Sequence, residues 1–158
     1  MAIAAKLCGR CSAPLELKTV DRLSVEDKPL VLSVLGMPVA KCAKGHAAPV
    51  HRDFMLWLIR ELKGLESSIP AASEQGMLFK KYLCACGREL ESRPGGGKAF
   101  AFDLAFEGAP KFRVELGMPV YRCSGCGKEQ LRSLKELRQA TPVAIAGLND
   151  AAGFPHSG

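Results

Sequence analysis

The residues best able to do chemistry here are seven cysteines and a few histidines, and the cysteines are not scattered. They fall into four short groups: Cys8-Gly-Arg-Cys11, Cys42 with His46 four residues on, Cys84-Ala-Cys86, and Cys123-Ser-Gly-Cys126. A pair of donors in one tight turn supplies half of a tetrahedral metal site, and a second turn brought close supplies the other half. Thiolate and imidazole donors in this number and spacing point to structural zinc, two ions per chain. Cys84, Cys86, Cys123 and Cys126 make an all-cysteine set. Cys8, Cys11 and Cys42 lack a fourth ligand, and His46 is expected to provide it, with His51 as the competitor. Gly87 and Gly127 each follow a knuckle directly and suit the left-handed backbone such turns need. A rubredoxin-like iron site draws on the same ligands. An odd number of cysteines argues against a disulfide framework, and the βαβ setting of a thioredoxin-like redox pair is missing. With four ligands each, neither site keeps the open position that catalytic zinc requires.

The groups are held in a repeat. Leu35-Gly-Met-Pro-Val-Ala-Lys-Cys42 returns 81 residues later as Leu116-Gly-Met-Pro-Val-Tyr-Arg-Cys123. Each copy has a cysteine pair upstream, so two units of one plan follow each other. At the position matching Cys126 the first copy has Gly45, and His46 stands one residue beyond. The second unit is longer between its pairs, and the extra length is assigned to a flexible turn, Arg93-Pro-Gly-Gly-Gly-Lys98.

Around the cysteines the pattern reads as β. Phe100, Phe102, Leu104 and Phe106 alternate with small or polar residues, as do Phe112, Val114 and Leu116, with Glu107-Gly-Ala-Pro110 as the turn. Leu15–Val20 and Leu30–Leu35 give the first unit a weaker hairpin. Gly-Met-Pro is expected to bend or end the second strand of each, because proline cannot donate in a ladder. A helix is expected over Arg52–Lys63, another short one over Ser133–Gln139, and a third from Thr141-Pro142 to about Leu148. The fold class expected is small α+β: two tandem zinc ribbons, each a β-hairpin plus two metal knuckles and each followed by a helix. The boundaries are 1–66 for the first ribbon and helix, 67–76 for a linker, 77–148 for the second ribbon and C-terminal helices, and 149–158 for a flexible tail. Each hairpin has little two-sided core, so loss of metal is expected to unfold at least the β-parts.

Composition sets the outer limits. Of 158 residues, 47 % are hydrophobic and 24 % charged, ordinary globular usage. No apolar run approaches the roughly 18 residues of a membrane span, and Cys8 follows too soon for a signal peptide. A cytoplasmic protein with no membrane partner is expected. Net charge is +6, with 10 Lys/Arg against 8 Asp/Glu over residues 1–76 and 12 against 8 over residues 77–158.

Residues 82–130, with Cys84-Ala-Cys86-Gly and Leu116-Gly-Met-Pro-Val-Tyr-Arg-Cys-Ser-Gly-Cys-Gly-Lys-Glu129, resemble the YgiT-type zinc-finger family. Residues 6–46 carry a degenerate copy. The resemblance implies a ribbon fold, zinc, and a bacterial intracellular setting. In that family the ribbon often serves an antitoxin and precedes a DNA-binding helix-turn-helix domain. Only 28 residues follow Gln130, so that role is not carried over.

Two functions are in play. Six consecutive apolar residues, Phe54–Ile59, cannot share one helix face, so some are expected to pack against the second ribbon, against a copy of the protein, or against a protein partner. Alternatively, Lys80-Lys81-Tyr82, Lys111-Phe112-Arg113 and Tyr121-Arg122 interleave cations and aromatic rings as a weakly specific nucleic-acid surface would. No clustered acid and base, phosphate-cradling loop or nucleophile motif is present, so no enzymatic activity is expected.

Overall fold

A computed structural model describes residues 7–155. The elements are β1 (Glu16–Asp27), β2 (Leu30–Lys41), β3 (Ala47–Pro49), α1 (Phe54–Leu65), β4 (Ser73–Gln75), β5 (Lys81–Leu83), β6 (Gly96–Leu104), β7 (Phe112–Arg122), β8 (Glu129–Gln130) and α2 (Leu134–Ala151). The chain is a small α+β fold with antiparallel sheets and two helices.

Both repeats form hairpins, β1–β2 and β6–β7, and the hairpins are zipped into one sheet of order β1-β2-β7-β6. The seam between them is antiparallel, from Val31 opposite Gly117 to Leu35 opposite Arg113. On its buried face lie Leu30, Leu32, Val34, Phe112, Val114 and Leu116, all 3 % exposed or less. The register has a local two-fold symmetry about the Ser33–Glu115 pair, which exchanges Leu32 with Val114 and Val34 with Leu116. That offset is 82, one more than the offset of the repeated phrase. The slip is taken up at Gly36, whose φ is 72° and where burial steps from Val34 to Met37. Gly117 has no such φ. It serves as a close-approach residue, with the Val31 carbonyl oxygen 3.4 Å from where a Cβ would stand.

Gly-Met-Pro does not end the strands. β2 runs through Pro38, opposite Thr19, and β7 runs through Pro119, opposite Gly97. Both prolines lie just beyond the seam, where each strand has already lost one neighbour and becomes an edge on that side. A missing N–H is tolerated at such a place. The motif therefore terminates the seam while leaving each hairpin intact. Residues expected to form the flexible turn Arg93–Lys98 are partly drawn into β6, which starts at Gly96.

The helices cross over between halves. α1 belongs in sequence to the first repeat, yet Phe54 packs within 5.8 Å of the rings of Phe106 and Phe112 in the second, with Trp57 completing the cluster. α2 follows the second repeat yet lies on β1 and β2 of the first, where Gly147 meets Val25. Arg138 of α2 also pairs at 3.0 Å with Glu66, whose carboxylate is buried in the 3-10 turn Glu66–Ser68 after α1. The apolar run of α1 divides as helical geometry requires: Phe54, Leu58 and Leu62 are fully buried, and Leu56 is 56 % exposed.

α2 is one helix where two were expected. It carries Pro142 inside, and the Thr141 hydroxyl donates to the Leu137 carbonyl at 2.7 Å. The stretch expected as a tail is docked as far as it is described. After Ala151 the Phe154 N–H reaches the Asn149 carbonyl, the Gly153 N–H reaches that of Asp150, and Gly153 has φ 74°. This is a Schellman cap, closed by burial of Phe154. Residues 156–158 lie outside the described chain. The segment 67–76 holds the end of the 3-10 turn and β4, and is tied to Leu131 by two backbone hydrogen bonds at 2.9 Å.

If α1 is held by the second repeat, Phe54→Ala should cost about 3–5 kcal/mol, while Glu61→Ala on the exposed side should change stability by less than about 0.5 kcal/mol. Urea unfolding of the two variants measures this directly. Equal, small effects would mean α1 is not part of the shared core.

Candidate metal centres

Each cysteine group is the turn of a small hairpin. The flanking pairs are Leu7 opposite Pro14, Lys41 opposite Ala47, Leu83 opposite Glu89, and Arg122 opposite Glu129. In every turn the first cysteine uses both of its backbone groups. Its N–H donates to Ala13, His46, Arg88 or Lys128, and its carbonyl accepts from Ser12, Gly45, Gly87 or Gly127. The four residues that donate to those carbonyls all have positive φ, of 60°, 87°, 90° and 76°. The turns thus come in two sizes. The long ones start at Cys8 and Cys123 and return at the fourth residue; the short ones start at Cys42 and Cys84 and return at the third.

Each cluster combines one long turn with one short turn, in opposite chain order. The structure brings Cys8, Cys11, Cys42 and His46 together, and separately Cys84, Cys86, Cys123 and Cys126, with all ligand atoms of a cluster within 4.8 Å of one another. The Sγ–Sγ distances are 3.7 Å for Cys11–Cys42, 3.7 Å for Cys84–Cys126 and 3.4 Å for Cys86–Cys123. Thiolates about 2.3 Å from a tetrahedral centre lie roughly 3.8 Å apart. Cys8 Sγ is 3.4 Å from His46 Nδ1, which makes Nδ1 the ligand atom that faces the site. His51 is elsewhere: its ring stacks on Phe106 at 4.5 Å. None of the seven cysteines is in a disulfide. Both clusters could hold a metal ion, and the donor sets fit one.

Why His46 reaches is now a matter of turn size. In the short turn the left-handed residue comes at Gly45, one position earlier than in the long turn. The next residue therefore points back to the cluster, and an imidazole spans what a thiolate would not.

The electrostatics divide each cluster into two kinds of thiol. Burial pushes Cys42 up, but the N–H groups of His46 and Lys44 outweigh it and draw its pKa down to about 6. Cys84 also falls to about 6, first through the Cys86 N–H and then through the side chain of Gln130. Cys123 is lowered by the N–H of Cys126 against the opposing effect of burial, with further help from that of Gly125. Cys126 goes the other way. The Lys128 N–H favours its thiolate, yet the neighbouring sulfurs of Cys123 and Cys84 and burial carry it to about 11. Cys11 is likewise raised: burial and the sulfurs of Cys8 and Cys42 outweigh the Ala13 N–H.

Gln130 is a residue sequence reading missed. It is 2 % exposed, its Nε2 has no hydrogen-bond partner of good geometry among the described residues, and it lies beside Cys84. A buried amide N–H facing sulfur is the arrangement that steadies a thiolate ligand from behind. Its only sequence signal is its place in β8, seven residues from Cys123.

Most of the cation–aromatic set read as a nucleic-acid surface is engaged within the chain. Phe112 and Tyr121 are buried, and Arg132 sits 5.2 Å from the rings of both Tyr82 and Tyr121. Lys80, Lys81, Lys111 and Arg113 pair with Glu74, Glu89, Asp103 and Glu115. No described helix is long and apolar enough to cross a membrane.

Two outcomes follow from this geometry. Ser12 is the one non-glycine described at positive φ, and its three counterparts are glycines. Ser12→Gly should stabilise the chain by about 1 kcal/mol, seen as a rise in melting temperature; a drop would mean the serine side chain has a role of its own. A metal-bound cluster carries no proton on sulfur, whereas without metal Cys126 and Cys11 hold theirs at neutral pH. Metal affinity at each site should therefore rise at least about tenfold per unit between roughly pH 7 and 8. Competition with a chromophoric chelator reads the slope, and a flat profile would contradict the assignment of protonated thiols.

Comparison with protein-family models, with curated proteins and with solved structures found no match. The resemblance of residues 82–130 to the YgiT-type family thus stands on those residues alone, beside two clusters able to bind metal.

Proposed function

We propose that the chain is a non-enzymatic interaction module, built on two structural zinc ions in two ribbon units, 1–66 and 77–148, joined by residues 67–76. The observation that carries this reading is the closed, four-donor geometry of both clusters, with sulfur spacings that suit tetrahedral coordination. Three cysteines with a histidine, and four cysteines, are ligand sets zinc prefers; neither leaves a position for substrate. The antiparallel seam sets the two centres at opposite ends of one sheet, because each lies at the open end of its own hairpin. That arrangement serves rigidity along the molecule more than chemistry at one place.

Zinc also changes the meaning of the charge. Two divalent ions with seven thiolates contribute −3, so a formal +6 becomes +3 in the loaded chain. Together with the buried and paired aromatic set, this removes most of the motive for a nucleic-acid surface. The face left for contact is the helical one around Leu56.

Metal analysis should return two zinc and no iron per chain, falling to one in His46→Ala. Full chelation should release both and open the four turns. Most of the helical circular-dichroism signal should remain, because both helices share one core with the centre of the sheet. One zinc per chain in the unsubstituted protein, or a coloured iron centre, would overturn the reading.

A further inference from the structure

Between the linker segment and the first turn of the second centre, β4 and β5 form a separate two-stranded hairpin, with Gln75 opposite Lys81. Its tip carries Met77, Leu78 and Phe79, which are 95 %, 91 % and 86 % exposed. Three consecutive large apolar residues held this far out are unusual, since monomeric proteins keep contiguous exposed apolar area small. The tip is built and not merely loose. Gly76 has φ 93°, and a Cβ there would meet the Phe79 carbonyl, so only glycine closes this turn. Its base is fastened by the Lys80–Glu74 ion pair at 2.7 Å, by Ser133 donating to Glu74, and by Arg132 over Tyr82.

The same chain offers a matching hollow. An open groove of about 730 Å³ runs between α1 and α2, with Met55, Leu56, Ile59, Pro142, Ile145 and Ala146 among its walls. The hairpin cannot bend back into it. Its base is pinned at Ser133, next to the start of α2, while the groove lies along the later turns of that helix, roughly 12–25 Å away. Tip and groove therefore meet only between molecules.

We infer that the Met77-Leu78-Phe79 tip of one copy docks in the α1–α2 groove of a second copy. Unbranched, adaptable methionine stands on both sides, at Met77 and Met55, which suits an irregular apolar fit. Three side chains and one groove make a contact smaller than a standard specific interface, so the association is of the weak, concentration-dependent kind. A bilayer is the other medium that could surround such a tip. Its two basic neighbours, Lys80 and Lys81, are already paired with Glu74 and Glu89, which lowers the pull of the tip toward anionic lipid. The contact is heterologous, so it propagates from copy to copy. This inference names the partner of the interaction module proposed above and rests on that reading.

Complementation tests it. Leu78→Asp disables the tip and leaves the groove; Leu56→Asp, at a side chain 56 % exposed, disables the groove and leaves the tip. Sedimentation velocity of the zinc-loaded protein should show mass rising with concentration for the unsubstituted chain and monomer for either variant, with association weakened at least about tenfold. An equimolar mixture should form a one-to-one heterodimer and nothing larger, because only one contact remains. Phe79→Asp and Met55→Asp supply a second pair if a first variant loses its zinc or its helical signal. A monomeric unsubstituted chain, variants that associate normally, or a mixture that stays monomeric would each overturn the inference. So would a monomer that co-sediments with phosphatidylglycerol vesicles through the tip. Because zinc content is read separately, failure here with two zinc ions retained leaves the metal reading intact.

Discussion

The five residue pairs between β2 and β7 set most of the rest of this molecule. Without that ladder the chain would be two hairpins, each with one apolar face and too little core to stand alone. With it, the buried faces become continuous, and the helices can exchange places across the join. Because the two strands run in opposite directions, the same ladder fixes where the cysteine clusters go. Each sits at the open end of its hairpin, and antiparallel pairing sends those ends apart. The repeated Gly-Met-Pro phrase marks where the ladder ends: its proline has no N–H to extend the pairing, and just beyond it the strands pair with β3 and β8 instead.

The clusters obey a local rule of their own. One turn that returns at the fourth residue pairs with one that returns at the third, whichever comes first in the chain. The difference of one residue decides which side chain arrives opposite the partner turn: cysteine inside the return at Cys86, histidine just beyond it at His46. The backbone of each turn also spreads the thiol pKa values, with amide N–H groups aimed at Cys42, Cys84 and Cys123. The inequality of the two clusters is thus a consequence of turn length more than of ligand identity alone.

What could be read from the sequence was whatever depended on neighbours along the chain. The repeat, the four cysteine groups, the choice of His46 and the β6–β7 alternation all rest on spacing within a few residues or on one clear periodicity. What escaped depended on contacts between the halves. Nothing near Pro38 or Pro119 says that the strand there is an edge; only the length of the β2–β7 seam does. Pro142 suggested a break because its own missing N–H was visible, whereas the packing that carries α2 past it was not. Phe154 read as tail because its burial needs the cap at Gly153 and a surface formed elsewhere. The apolar tip at Met77–Phe79 lay at the start of the stretch assigned to the second ribbon, just past the linker, and gave no sign of itself, since exposure cannot be counted from residue type.

The crossing of α1 onto the second repeat has a temporal side. A ribosome exposes the chain in order, and Phe54 and Trp57 emerge about fifty residues before Phe106 and Phe112, their partners. At about 5–20 residues per second, that is an interval of several seconds in which the amphipathic helix lacks those aromatic partners. The β1–β2 hairpin and the first cysteine cluster, complete once His46 is made, are closures open to the nascent chain during that wait. Metal capture at the leading end would then help hold the early half in register until the later half arrives, so ion supply would bear on synthesis as well as on the finished turns.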